Sequence, residues 1–319
     1  MFLSRFVVGM VSIGLMMGAD GVAAQQNFPT KPIRIITALP GGAGDVTARL
    51  ISLGMASSLG QSVIVDNRPS NMTGETAMKA QPDGYTLLLD GNSLWFTSLM
   101  QKTPYDVLRD FAPITLVLSS PCILVVHPSL PANSVKELIA LAQTKPGVLN
   151  YGSAGHASAP HFAMELFKYM TGVNVVHIPY KGAGAAVIDV ISGQIQMMIG
   201  TAPSVTPNIK AGKLRALAVS TAQPSMLAPG LPTISASGLP GYEFASLNGV
   251  FAVVRTPDAI INRLHQEIVR AVSQPDVKER IFNIGTEVIT STPEGFTVKL
   301  KSETAKWGKL IKEVGIRAD

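Results

Sequence analysis

Residues Ile33 to Leu50 read IRIITALPGGAGDVTARL, and this stretch decides the fold. Ile33, Ile35 and Ile36 are apolar and β-branched, as suits a strand packed on both faces of a sheet. Pro40, Gly41, Gly42 and Gly44, with Ala43 among them, then break the run. Asp45 is placed to cap a helix beginning at Val46. Such a junction aims several backbone N–H groups at one spot beside the positive end of a helix, a seat for an anion that needs no Arg or Lys. The same residues also fit a plain strand-to-helix connection, with Asp45 filling its own helix end. Both readings are α/β, and open α/β sheets bind ligands at the carboxyl ends of their strands.

Outward from this stretch, strands and helices alternate almost throughout, the signature of βα units and mostly parallel sheets. The pattern predicts strand 33–38, helix 46–59, strand 62–66, helix 74–80 and strand 85–89, and it assigns no element between 90 and 113. Ile114 to Val126 is apolar except around Ser119-Ser120-Pro121. It exceeds one ordinary strand of about 5–6 residues, so two strands in series are expected, leading from one domain into the next. A repeating βα pattern follows. Ser134 caps a helix to Thr144, strand 148–151 leads to the small-residue loop 152–159, and Pro160 opens a helix to Met170. Strand 173–178, the loop Pro179-Tyr180-Lys181-Gly182, a helix to Ser192 with Gly193 at its end, and strand 195–199 come next. Gly200-Thr201-Ala202, a helix 203–210 and strand 214–219 complete the set. Leu247 to Val254 reads as the return into the first domain, followed by amphipathic helices at 257–273 and from Thr292 onward.

Two crossings, near 120 and 245, make a hinge between two lobes, 25–120 with 246–319 and 121–245. That layout is typical of clamshell binding proteins, which close on a ligand between lobes. Four βα junctions, at 39–45, 152–158, 179–184 and 200–203, are short and rich in Gly, Ala, Ser and Pro. Two such helix starts from opposite lobes can hold the two ends of a small carboxylate.

The first 24 residues carry Arg5, an apolar stretch Phe6–Met17 and the small residues Val22, Ala23 and Ala24, the order of a secretory signal. The apolar stretch falls short of the roughly 20 residues that span a bilayer. Export to the periplasm, with a chain starting near Gln25, is therefore expected. The single cysteine, Cys122, lies in an apolar run and reads as a buried small hydrophobe. The net charge of +5 is spread over helices paired with acids, with no basic stripe and no nucleic-acid motif, so nucleic acid is not an expected partner. A mild positive balance favours small anions.

Tests for common enzymes fail: there is no nucleophile elbow, no H-E-x-x-H and no Walker A sequence. Of the five histidines only His156 and His161 are close in sequence, and zinc wants three or four ligands, so no metal site and no cofactor are expected. Ser153 and His156 share one loop. They read either as a nucleophile with its base, though nothing supplies the orienting acid of a triad, or as a hydrogen-bonding loop that caps the next helix.

The chain resembles the substrate-binding proteins of tripartite tricarboxylate transporters, the Bug-type receptors. The resemblance rests on KPIRII at 31–36, PGGAGDVTARL at 40–50, VIVDNRP at 63–69 and PDGYTLLL at 82–89. It continues through PYDVLRDFAPITLV at 104–117, HPSLPANSVKELIALAQTKPG at 127–147 and LNYGSAG at 149–155. VHIPYKGAGAAVIDVISGQI at 176–195 and IKAGKLRALAVS at 209–220 complete it. It implies a monomeric periplasmic receptor of type II-like fold, each lobe a mostly parallel sheet flanked by helices. Such a receptor takes a small mono- or dicarboxylate to membrane permease subunits. By motif match the ligand falls to Pro40, Gly41, Gly42, Ala43, Gly44 and Asp45, and to Ser153, Gly155, His156, Ala157 and Ser158. Tyr180 and Gly182 of the PYKG turn, Ser93 and Thr201 complete the candidate set. Three departures from the family pattern, at Gly200-Thr201, at Leu247-Asn248 and at Ser70–Thr73, sit where a cleft would be shaped. A periplasmic hydrolase using Ser153 and His156, or a sensor that presents its ligand-bound form to a signalling partner, are the alternative functions.

Overall fold

A computed structural model describes residues 28–38, 40–69 and 71–316. The expected export signal lies outside the described residues. The chain opens with β1 (Ile33–Thr37), α1 (Ala43–Leu59), β2 (Val63–Asn67), α2 (Thr73–Met78) and β3 (Thr86–Gly91). β1 lies between β2 and β3, parallel to both. Its three isoleucines are fully buried, as their two-sided apolar pattern requires.

Two helices that the pattern did not assign follow, α3 (Asn92–Met100) and α4 (Val107–Asp110). α3 escapes the periodicity test because Leu94, Trp95 and Phe96 are all buried in succession, which leaves no polar stripe to mark its register.

The apolar passage is one strand, β4 (Phe111–Val126), and not two in series. Its length has a simple cause: it never runs out of partners. From Phe111 to Pro121 it pairs antiparallel with β9 (Ala245–Val253), and from Cys122 to Val126 with β7 (Met197–Thr201). Backbone hydrogen bonding is therefore continuous across Pro121, while register shifts near Pro113 and Leu116 absorb the twist. β8 (Arg215–Val219) also pairs with the second part, and β10 (Glu287–Val288) with the first.

The far half of the sheet is built from α5 (Val135–Thr144), β5 (Asn150–Ser153), α6 (Ala159–Thr171), β6 (Val176–Pro179), α7 (Ala183–Ile191) and α8 (Ala202–Lys210). β5 is parallel to β6 and β7. The ten strands form one sheet, eight of them in the order β2-β1-β3-β9-β4-β7-β5-β6, with β8 and β10 set beside β4 off that path. Helices α9 (Asp258–Val272), α10 (Pro275–Asn283) and α11 (Pro293–Val314) close the chain. α11 packs on β4, α3 and α6 together, so it spans both halves. Its Trp307 meets Phe96 of α3 and Phe162 of α6, and those two rings lie 4.0 Å apart between centroids. No helix among the described residues is long and apolar enough to cross a membrane.

Candidate ligand cleft

Where β1 gives way to α1, the helix starts three residues earlier than the sequence suggested. Gly42 is its N-cap, in extended conformation (φ −81°, ψ 166°) and without a side-chain cap. Asp45 therefore sits inside the first turn, and it is not the cap. Its carboxylate accepts from the Gly41 amide (3.0 Å), from Asn67 Nδ2 (2.9 Å) and from Arg49 (2.9 Å). Burial alone would raise its pKa, but those hydrogen bonds outweigh it and hold the carboxyl below its usual range. Asn67 also donates to the Ala38 carbonyl at 2.7 Å, which ties the loop to the end of β2. With Asp45 drawn under the loop, none of the described residues accepts from the Gly42, Ala43 or Gly44 amides. A Cβ built on Gly42 meets nothing within 4 Å, so this turn faces open space.

The end of β3 repeats the geometry with a different outcome. Gly91 caps α3, and the Asp90 carboxylate, 6% exposed, fills that helix end from the protein itself. Its Oδ1 accepts from the Gly91 amide (2.7 Å) and Ser93 Oγ (3.2 Å), its Oδ2 from Thr73 Oγ1 (2.6 Å). Burial raises the Asp90 pKa against the pull of those three donors. This helix start is already occupied by a carboxylate.

In the other half, β5 runs into the loop before α6. Ser158 is the N-cap, accepting from the His161 amide at 3.4 Å and donating to the Gly155 carbonyl at 2.6 Å. Ala157 takes a left-handed conformation (φ 57°), uncommon for a residue with a Cβ, and Gly155 a still wider one (φ 113°). The amides of His156, Ala157 and Ala159 have no acceptor among the described residues. Ser153, fully buried, bonds to His177 Nε2 at 2.7 Å and not to His156. Strand register explains it: Tyr151 faces His177 across the β5–β6 ladder, which sets Ser153 diagonally beside the same ring. Burial, then neighbouring His156, pushes His177 down to about 4, and burial with His177 pushes His161 down to about 3.

These ends converge on a cleft of about 690 Å³ between the two halves of the sheet. Gly42, Gly44, Ser93, His156, Ala157, Ser158 and Thr201 line it. Pro40, Gly41, Ala43, Asp45, Ser153, Gly155, Tyr180 and Gly182 are not on its wall. Tyr180 instead donates to Asp189 at 2.6 Å and packs beside Gly152, so the PYKG turn braces the β5 loop from behind. Four helix starts do border the cleft, as the sequence suggested, but the fourth is that of α3 and not of α7. Asp90, Asn92, Thr37, Thr97 and Ser246 are wall residues that sequence reading missed. The signal for two of them was present, since Asp90-Gly91-Asn92-Ser93 follows an apolar strand as a βα junction does. Asn71, Thr201 and Asn248, one from each departure from the family pattern, also line the cleft. No Lys or Arg is among the described lining residues.

The sequence over residues 47–316 matches the family described as tripartite tricarboxylate transporter family receptor. The chain belongs to this family. Protein BugT of Bordetella pertussis (strain Tohama I) is 34% identical over 315 residues, covering 96% of this chain and 97% of BugT. Among solved structures, R. palustris Rpa4515 with adipate superposes with a TM-score of 0.80 at 33% identity, over 91% of this chain and 99% of that one. MatC (Rpa3494) from Rhodopseudomonas palustris with bound malate gives 0.77 at 26% identity, over 89% and 100%. The resemblance read from the motifs therefore holds, and the α/β architecture is that of periplasmic binding proteins.

Proposed function

We propose that this receptor works in the periplasm, closes its two lobes on a small organic carboxylate, and hands it to the permease subunits of a tripartite tricarboxylate transporter. One observation carries the reading. Two helix starts from opposite halves of the sheet, those of α1 and α6, present amides with no acceptor among the described residues to a single cleft whose described lining has no Lys or Arg. Aligned peptide dipoles give each end a partial positive charge, and two such ends match the two termini of a dicarboxylate. The α3 start contributes differently. Asp90 already fills it, which steers an incoming anion away from α3 and toward the α1 and α6 ends.

The lobes are residues 25–120 with 246–319 and 121–245, hinged where β4 changes partner. Ligand grip falls to Gly42, Gly44, Ala157, Ser158 and Thr201. A non-catalytic role fits the burial of Ser153, whose hydroxyl is engaged by His177 and Gly155. Relatives that hold adipate and malate make dicarboxylates of four to six carbons the first compounds to try. Titration calorimetry against that panel tests the proposal: saturable one-to-one binding is expected, and no binder at millimolar concentration would overturn it.

A further inference from the structure

Three histidines from three different segments meet behind the wall of the cleft. His156 comes from the β5–α6 loop, His161 from α6 and His177 from β6, and one ring nitrogen from each lies within 4.8 Å of the others. We propose that His156, His161 and His177 bind a first-row divalent transition ion of the zinc class, with an open coordination position toward the cleft.

The donor set is the first argument. Three imidazoles suit zinc, copper, nickel or cobalt, and they do not suit magnesium or calcium, which want oxygen. His161 supplies the second. It is 3% exposed, and its Nδ1 is buried with no hydrogen-bond partner. A buried polar nitrogen left unpaired costs free energy that a metal bond would recover. The third is that the nearby cation, Lys168, is itself paired with a buried acid. Glu165, the nearest buried acid on α6, is committed to the Tyr151 hydroxyl at 2.5 Å and Lys168 at 2.6 Å. The set is therefore three neutral nitrogens, the number that leaves a tetrahedral ion one free position. The fourth is outer-shell support. Ser153 Oγ, 2.7 Å from His177 Nε2, fixes that ring in the way that ligating histidines are held. With Nε2 held by Ser153, the proposed site uses Nδ1 of His177.

A modest movement completes the site. Bonds of about 2.0–2.1 Å to zinc put ligand nitrogens roughly 3.4 Å apart, so no pair in the cluster has to close by more than about 1.4 Å. The His161 and His177 rings, now stacked 4.2 Å apart and 8° from parallel, have to splay. His156 lines the cleft, so the fourth position faces the space assigned to the ligand. A carboxylate oxygen is the group that would fill it, and this last step alone rests on the proposed function.

The test begins with chelator-treated, tag-free protein titrated with Zn²⁺ by calorimetry, and with Co²⁺ followed by its visible ligand-field absorption. One ion per chain and a tetrahedral Co²⁺ spectrum are expected. His156→Asn, at the cleft edge of the cluster, should keep the fold by circular dichroism and weaken Zn²⁺ binding at least about 100-fold, with Ser153→Ala weakening it about 10-fold. His127→Asn and His265→Asn, outside the cluster, should leave it unchanged. Sub-stoichiometric binding, or binding indifferent to His156→Asn, would overturn the site. Adipate titrated with Zn²⁺ present and with chelator present tests the open position: at least tenfold tighter binding with the ion supports it, and equal affinity removes it. Zinc binding without any carboxylate binding would refute the receptor reading and leave the metal site standing.

Discussion

Thr73 Oγ1 donates to Asp90 Oδ2 at 2.6 Å, joining the first turn of α2 to the end of β3 beneath the cleft. The bond holds in place a carboxylate that burial would prefer to keep neutral. Asp90 is raised above its ordinary 3.8, so the folded chain binds its proton more tightly than the unfolded chain does. Stability from this group is complete below the unfolded value and is lost as pH rises through the folded one. Asp90→Asn keeps the shape and the acceptor for Gly91, and removes the charge. Urea denaturation should find the variant matching the native protein near pH 4 and more stable than it at pH 8. Its affinity for a dicarboxylate at neutral pH should rise, because an anion has left the wall.

On the proposed binding mode Gly42 serves access and not conformation. Its φ of −81° suits any residue, and a Cβ there meets no protein atom within 4 Å. Gly42→Val should therefore shift stability by no more than about 0.5 kcal/mol. It should cut carboxylate affinity by at least about tenfold, since the branched side chain stands before the α1 amides. Calorimetry paired with a melting curve separates the two effects.

How far the sequence could be read follows from which contacts are local. The strand of isoleucines and the turn after it were legible because β-branched residues and glycines act on their own backbone. The start of α1 was misplaced by three residues because Asp45 is satisfied by Asn67, more than twenty positions away. That the loop before α6 caps the helix was legible, since the capping hydroxyl of Ser158 and its partner are only three residues apart. The pairing of Ser153 with His177, and the entry of His177 into a cluster with His156 and His161, depend on the β5–β6 register, which no local pattern encodes. Asp90 was passed over because an acid runs against the expectation of a cleft for anions until its three donors are counted.

Ala157 holds a left-handed backbone at the cleft wall, φ 57°, which costs a residue with a Cβ about 1–2 kcal/mol. Ala157→Gly relieves that strain and adds chain entropy to the unfolded state, so a net gain near 0.5–1 kcal/mol is expected in chemical denaturation. Ala157→Val, with a branched Cβ, should move stability the other way. Equal stabilities for all three would show that the loop relaxes.

Ser220 ties the two chain crossings together, and its removal should be costly. It is fully buried where the chain leaves β8. Its backbone bonds to the Cys122 carbonyl and to the Phe244 amide, each at 2.8 Å. Its hydroxyl accepts from the Cys122 amide at 2.9 Å and donates to the Phe244 carbonyl at 2.7 Å. Cys122 is the first residue of β4 beyond its pairing with β9, and Phe244 directly precedes the returning strand, so one hydroxyl spans both crossings. Ser220→Ala orphans a buried amide and a buried carbonyl at once, and about 1–3 kcal/mol should be lost. Ser220→Thr keeps the hydroxyl but adds a methyl to a fully packed site, so it should recover part of that loss. Because both orphaned groups lie at the crossing, hydrogen exchange should quicken there, at Cys122, while the amides of β1 stay protected. Uniform acceleration across the sheet would instead mean that the substitution lowers global stability alone, with no separate role for the crossing.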